Sequence, residues 1–207
     1  MNQRYFRSVL VCGLALDGLG LPCSQAMALT LNFESLADAE TVTGQFAAQG
    51  ITFQNTDALR ATVSLNEAEF PPLSGAMVVS DSGGAMSITF NTPMASVAGY
   101  FTYAVPLSFS AFDRLGAPLG SVASLFDTNL LLSGSPGSSP NELLQLAFVQ
   151  GIDRLTITGG AAGASFTLDD LTLQPVPEPS MAALLCIGLA FGVVGKAGLR
   201  RWRAAPS

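Results

Sequence analysis

A chain of 207 residues, 49% hydrophobic and 12% charged, has room for one ordinary domain plus apolar segments outside a soluble core. From Leu29 to Pro179 only Arg60, Arg114 and Arg154 stand against fourteen acids, 3 minus 14 or −11, a field that repels polyanions and excludes nucleic acid as a partner. There is no histidine, and Cys12, Cys23 and Cys186 leave the middle without cysteine, so His-dependent nucleophile systems, disulfides and Cys-based zinc sites are excluded there.

In chain order, Arg4 and Arg7 precede an apolar run over residues 9–21, and Ala26-Met27-Ala28 supplies the small residues that signal peptidase reads. The pattern predicts a signal peptide over 1–28, cleaved after Ala28. Leu21-Pro22 before Cys23 does not fit a lipoprotein site.

Residues 29–174 alternate apolar and polar positions in short runs broken by Gly, Asn, Asp, Ser and Pro, the period of half-buried strands. Strands are expected at 29–33, 51–54, 61–65, 76–79, 86–90, 97–103, 107–111, 119–126, 143–149, 155–157 and 166–173. A helical turn is expected over 41–49, where Val42, Phe46 and Gln49 share a side. Asp113-Arg114-Leu115-Gly116 reads as a hairpin turn, and Ser133 through Pro140 as a flexible surface loop. In the last strand Phe166 and Leu168 have one parity and Leu171 and Leu173 the other, so a bulge is expected at Asp169-Asp170, re-aiming one or both carboxylates. So many short strands exceed one open sheet, which predicts an all-β domain with two packed sheets, a jelly-roll-like sandwich.

The chemistry offered by this domain is sparse. Carboxylates such as Glu34, Glu67, Glu69 and Asp113 could in principle pair for glycoside hydrolysis, but nothing singles out a pair, so the domain is read as non-catalytic. A glycan-binding patch would draw on Tyr100 with Asn55, Asp57 and Asn66. Against it, the domain has no Trp, and its Phe residues fall at alternating positions that fill a core.

The chain ends in Val176-Pro177-Glu178-Pro179-Ser180, an uncharged run over 181–195, then Lys196 and Arg200-Arg201-Trp202-Arg203. The run is short of the roughly 30 Å hydrocarbon core, but Lys196 can snorkel and residues 197–199 lengthen the span. The basic cluster belongs on the cytoplasmic side and Trp202 in the headgroup zone. Together these residues resemble the PEP-CTERM sorting signal. The resemblance implies a membrane helix followed by a basic tail of Arg200, Arg201 and Arg203. It also implies processing by an exosortase near the motif, after export across the inner membrane of a Gram-negative, exopolysaccharide-making bacterium. The protein would be anchored there transiently and then pass to the cell surface or medium.

The stretches Leu31-Asn32-Phe33-Glu34, Gly50-Ile51-Thr52-Phe53, Ala111-Phe112-Asp113-Arg114-Leu115-Gly116 and Phe166-Thr167-Leu168-Asp169-Asp170-Leu171 are similar to jelly-roll domains of exported proteins and, in architecture, to carbohydrate-binding modules. That second resemblance implies a structural calcium tying first strand to last through Glu34 and Asp169 or Asp170. The functional expectation is therefore a non-catalytic surface or exopolysaccharide-associated protein, with a calcium-holding carbohydrate-binding module as the alternative.

Overall fold

The structure, a computed structural model, describes residues 27–177. The expected signal peptide, apart from Met27 and Ala28, the expected membrane helix, the basic tail and Glu178-Pro179-Ser180 of the sorting motif lie outside the described residues.

Nine strands occur there: β1 Leu29–Leu31, β2 Ile51–Gln54, β3 Thr56–Arg60, β4 Met77–Asp81, β5 Met86–Tyr103, β6 Ser108–Phe112, β7 Pro118–Ala123, β8 Glu142–Thr158 and β9 Phe166–Pro175. All pairings are antiparallel. The expected two-layer sandwich is present, but its layers are parts of one hydrogen-bonded network, because β5 and β8 each pass through both. In the first layer, β9 lies between the second half of β5 and, on its other edge, β4 and β1; β3 borders β4, and the first half of β8 flanks β5. The second layer runs β2, first half of β5, second half of β8, β6, β7.

The corner between layers is built from two staggered irregularities. β5 advances from Thr89 to Met94 while β8 moves only from Arg154 to Ile152; β8 then covers Ile152 to Ala147 while β5 moves from Met94 to Ser96. Such extra residues bend a strand and raise its twist, and so turn one sheet into two facing ones. Sequence periodicity splits these strands at the breaks, which is why 86–90 and 97–103, and likewise 143–149 and 155–157, were expected as separate strands.

The facing layers meet through buried aromatics. Phe101 of the first layer lies 5.5 Å, centroid to centroid, from Phe109 of the second, and 6.1 Å from Phe166 beside it. Near β1, Phe33, Phe46 and Phe53 form a triangle with centroids 5.8 to 6.2 Å apart. Burying each such ring contributes roughly 1.5–3 kcal/mol of transfer free energy.

Two local expectations are corrected. The strand lies at Thr56–Arg60 rather than 61–65. Thr62 takes φ 66°, and the N–H groups of Val63, Ser64 and Leu65 all turn back onto the Arg60 carbonyl, which ends the strand there. The helical turn shrinks to a 3-10 turn over Ala47–Gln49: Val42 and Phe46 are buried as expected, whereas Gln49 is exposed.

The Asp113 turn forms as read. Asp113 Oδ1 accepts the N–H of Leu115 (2.9 Å) and Ala117 (2.8 Å), and Gly116 supplies φ 81°.

Candidate functional site

The expected bulge in β9 is present: Ala98 of β5 faces Thr172 and Tyr100 faces Asp169, with Asp170 at φ 45° as the extra residue. It aims both carboxylates at one segment. Asp169 Oδ2 accepts the N–H of Leu73 and of Ser74, each at 2.9 Å, and Asp170 Oδ1 accepts the Ser74 hydroxyl at 3.0 Å. From the end of β1, Glu34 Oε1 accepts the N–H of Ala76 and Met77, each at 2.8 Å. Gly75 between them has φ 55°, and a Cβ there would displace the Glu34 carboxylate from its two N–H donors while straining the backbone, so glycine is favoured.

The three acids expected to hold calcium thus converge on residues 73–77, but as acceptors for backbone and hydroxyl donors. Among the described residues no group of three or more acidic side chains is placed to hold a metal ion. Backbone N–H groups and the Ser74 hydroxyl take Glu34 Oε1, Asp169 Oδ2 and Asp170 Oδ1, so in this arrangement the three acids anchor the loop. A chelator is expected to leave the thermal midpoint unchanged; a fall on chelation, restored by added calcium, would show a metal at these acids.

Asp169 is 1% exposed, and burial pushes its carboxyl up to about 6, opposed by the N–H donors of Ser74 and Asp170, reinforced by the Asp170 charge, and opposed again by the Leu73 N–H. A folded value above the ordinary 3.8 means that the native state binds this proton more tightly than the unfolded chain does. Its stabilisation is full below about 3.8 and is lost as pH rises through about 6. The midpoint of the wild type minus that of Asp169→Asn should therefore rise as pH falls from 7 to 4, by the equivalent of about 2–3 kcal/mol. A difference that does not vary with pH would overturn this.

The four residues considered for glycan binding are not gathered into one site. Asn55 donates Nδ2 to the Ala85 carbonyl at 3.0 Å, and Asp57 Oδ1 accepts the Thr41 hydroxyl at 3.0 Å. Asn66 lines a small cavity of about 210 Å³ with Leu59, Leu65, Phe70 and Phe166, which Tyr100 does not reach. Tyr100 sits inside β5, opposite Asp169 on one side and Leu143 on the other.

Sequence reading missed two polar features. Tyr103 is fully buried, donates its hydroxyl to Glu142, and has its phenol pushed up to about 12, first by burial and then by Glu142. Beyond it, Asn129 is also fully buried and bonded on both side-chain heteroatoms. The second feature is a cleft of about 560 Å³ on the outer face of the second layer, where the Asp113 turn, the Thr89-to-Asn91 stretch of β5 and Asp153-Arg154 of β8 meet. Only the strand order brings these together: Thr89, Arg154 and Phe112 form one cross-strand row.

At the other end of β9 the domain runs straight into the sorting motif. The Val176 N–H donates to the Pro93 carbonyl at the inter-layer corner (3.0 Å), while Pro177 is exposed. An antiparallel sandwich tied in this way to a C-terminal address is an exported domain with a sorting tail. The PEP-CTERM protein-sorting motif matches residues 175–202. It marks an exported protein that an exosortase processes, with its C-terminal region anchored in the membrane beforehand.

Among solved structures the chain is similar to the K2 cleaved adhesin domain of Lys-gingipain, at 13% identity and TM-score 0.44 over 72% of this chain and 99% of that one. A DUF4465-family protein from Bacteroides caccae is 11% identical, with TM-score 0.44 over 72% and 99% of the two chains. A family 11 carbohydrate-binding module from Clostridium thermocellum, in complex with a mixed-linked tetrasaccharide, is 10% identical, with TM-score 0.35 over 73% and 98%. No curated protein sequence matches the chain.

Proposed function

We propose that this is a non-catalytic protein of the cell surface or extracellular matrix of a Gram-negative, exopolysaccharide-producing bacterium. Signal peptidase frees its β-domain at Ala28, and exosortase frees or transfers it at Pro177-Glu178-Pro179 once the domain has been exported. The observation that carries this reading is the junction. Among the described residues backbone pairing continues to Val176, the residue before Pro177, so the domain's strand structure reaches the start of the motif. A chain cut near the motif keeps every strand and both layers. A non-catalytic role is supported by the use of carboxylates as turn and loop anchors: Asp113 holds its own turn, and Glu69 Oε2 holds the N–H groups of Leu132 and Ser133.

Intact mass of the protein recovered separately from host membranes and medium tests this directly. The expected species begins near Leu29, ends near Pro177-Glu178-Pro179 and is found in the matrix or medium. A membrane species that retains Arg200 to Ser207 as the only form would overturn it.

A further inference from the structure

We propose that the cleft on the outer face of the second layer binds an acidic saccharide, through a sugar ring bearing a carboxylate. Two of the three cations between Leu29 and Pro179, Arg114 and Arg154, line this one cleft. Fourteen acids in that span offer potential partners, yet among the described residues neither guanidinium is engaged by a carboxylate or a hydrogen bond. Arg154 is instead laid over the Phe112 ring at 4.6 Å from its centroid, a cation–π contact that restrains its side chain. Arg114 rides on the turn that Asp113 Oδ1 and the left-handed Gly116 hold in place. The Arg154 side chain is therefore placed before any ligand arrives, and Arg114 is carried on a fixed backbone with its side chain exposed, which lowers the ordering cost of binding.

The rest of the lining matches the remainder of such a ring. Asn91, Thr89 and Asp153 offer amide, hydroxyl and carboxylate groups suited to vicinal hydroxyls, and the cleft's roughly 560 Å³ falls within the usual range for small-ligand sites. A planar carboxylate is the group that a guanidinium grips with two parallel hydrogen bonds. The chain's acidic field does not forbid it. Charges more than about 8–10 Å away are largely screened at physiological salt; of the two acids in the lining, Asp113 is turned onto the N–H groups of Leu115 and Ala117, and Asp153 is left to the ring hydroxyls. Neutral sugars would meet the guanidinium groups only through hydroxyl oxygens, without the charge pairing and the two-bond fork that a carboxylate supplies.

This inference rests on the matrix reading for its biological setting, but its test is separate. The processed protein recovered from the host is titrated by calorimetry with a trisaccharide of glucuronate and with a neutral glucose trisaccharide. The expected result is saturable binding of the glucuronate trisaccharide that weakens with added salt and is at least about tenfold tighter than binding of the neutral one. Arg114→Gln, on an exposed turn, is expected to fold normally and to lose about tenfold or more in affinity. Arg154→Lys keeps the charge and the stacked stem while losing the planar fork, and should weaken binding with the fold retained. No saturable binding, equal affinity for the two trisaccharides, or unchanged affinity in both variants would each overturn the assignment. A protein that partitions with the matrix but ignores glucuronate fails this test alone. One that binds glucuronate but remains uncut in the membrane fails only the reading above.

Discussion

Asn129→Ala is expected to cost the domain about 3–5 kcal/mol, because two buried backbone groups, and with them the carbonyl of the exposed Ser139, lose their partner at once. Asn129 Oδ1 accepts the Tyr103 N–H at 2.6 Å, and its Nδ2 donates to the carbonyls of Phe101 (2.9 Å) and Ser139 (3.0 Å). The register between β5 and β8 ends at Phe101 opposite Glu142, so the end of β5 has no strand on that side. The Asn129 side chain takes the place of the missing strand, helped by its own N–H and the Thr128 hydroxyl, both donated to the Tyr103 carbonyl (3.0 and 2.9 Å). Alanine leaves the Tyr103 N–H and the Phe101 carbonyl unsatisfied inside the protein, at about 1–3 kcal/mol each before any water enters, while the Ser139 carbonyl can turn to solvent. Asn129→Asp should be no better, since an acceptor oxygen would then face two carbonyls. At about 2–4 °C per kcal/mol for a domain of this size, the midpoint should fall by roughly 10 °C. Urea unfolding followed by circular dichroism measures the loss; a value below about 1 kcal/mol would show that water substitutes for the side chain.

How far the sequence anticipates this fold depends on how local each signal is. Ile51–Gln54 alternates strictly, buried and exposed by turns, and forms at the expected residues. The parity slip at Asp169-Asp170 and the Asp113 turn are also local, and both form as read. β3 escaped notice because its inward residues are the small Thr56 and Ala58, which give little hydropathy contrast. The Ser-Gly-Pro composition from Ser133 to Pro140 argues for a free loop, whereas Ser135 N–H bonds the Thr128 carbonyl and the Ser139 carbonyl is held by Asn129. The candidate sites divide in the same way. Glu34, Asp169 and Asp170 do meet one loop, as their positions on the first and last strands imply, but as anchors for its backbone. The cleft containing Arg114 and Arg154 depends on β6 lying beside β8, a pairing between segments far apart in the chain that no periodicity reports.

Gly151→Val should be the other severe substitution, acting where the two layers join and where the sorting motif begins. Gly151 has φ 87°, a conformation that costs a β-branched residue about 1–3 kcal/mol. A Cβ there would lie 2.6 Å from the Cβ of Pro93 and 3.2 Å from Val176 Cγ2. Relieving those contacts moves one strand of the corner away from the other, an overpacking cost of about 1–3 kcal/mol more. The total, about 2–6 kcal/mol, should appear as a loss of stability in urea unfolding. The direction of the displacement adds a second effect. Pro93 also accepts the Val176 N–H, so pushing Pro93 and Val176 outward weakens the last backbone bond before Pro177. In the folded variant, limited proteolysis just after Pro175 should therefore be faster than in wild type under conditions where global unfolding is negligible for both. Gly151→Ala should show the same order of effects at smaller size. An unchanged unfolding midpoint for Gly151→Val would mean that the corner has room that the close approach to Pro93 denies. Unchanged proteolysis alongside reduced stability would separate the corner's role in the fold from any role in presenting the motif.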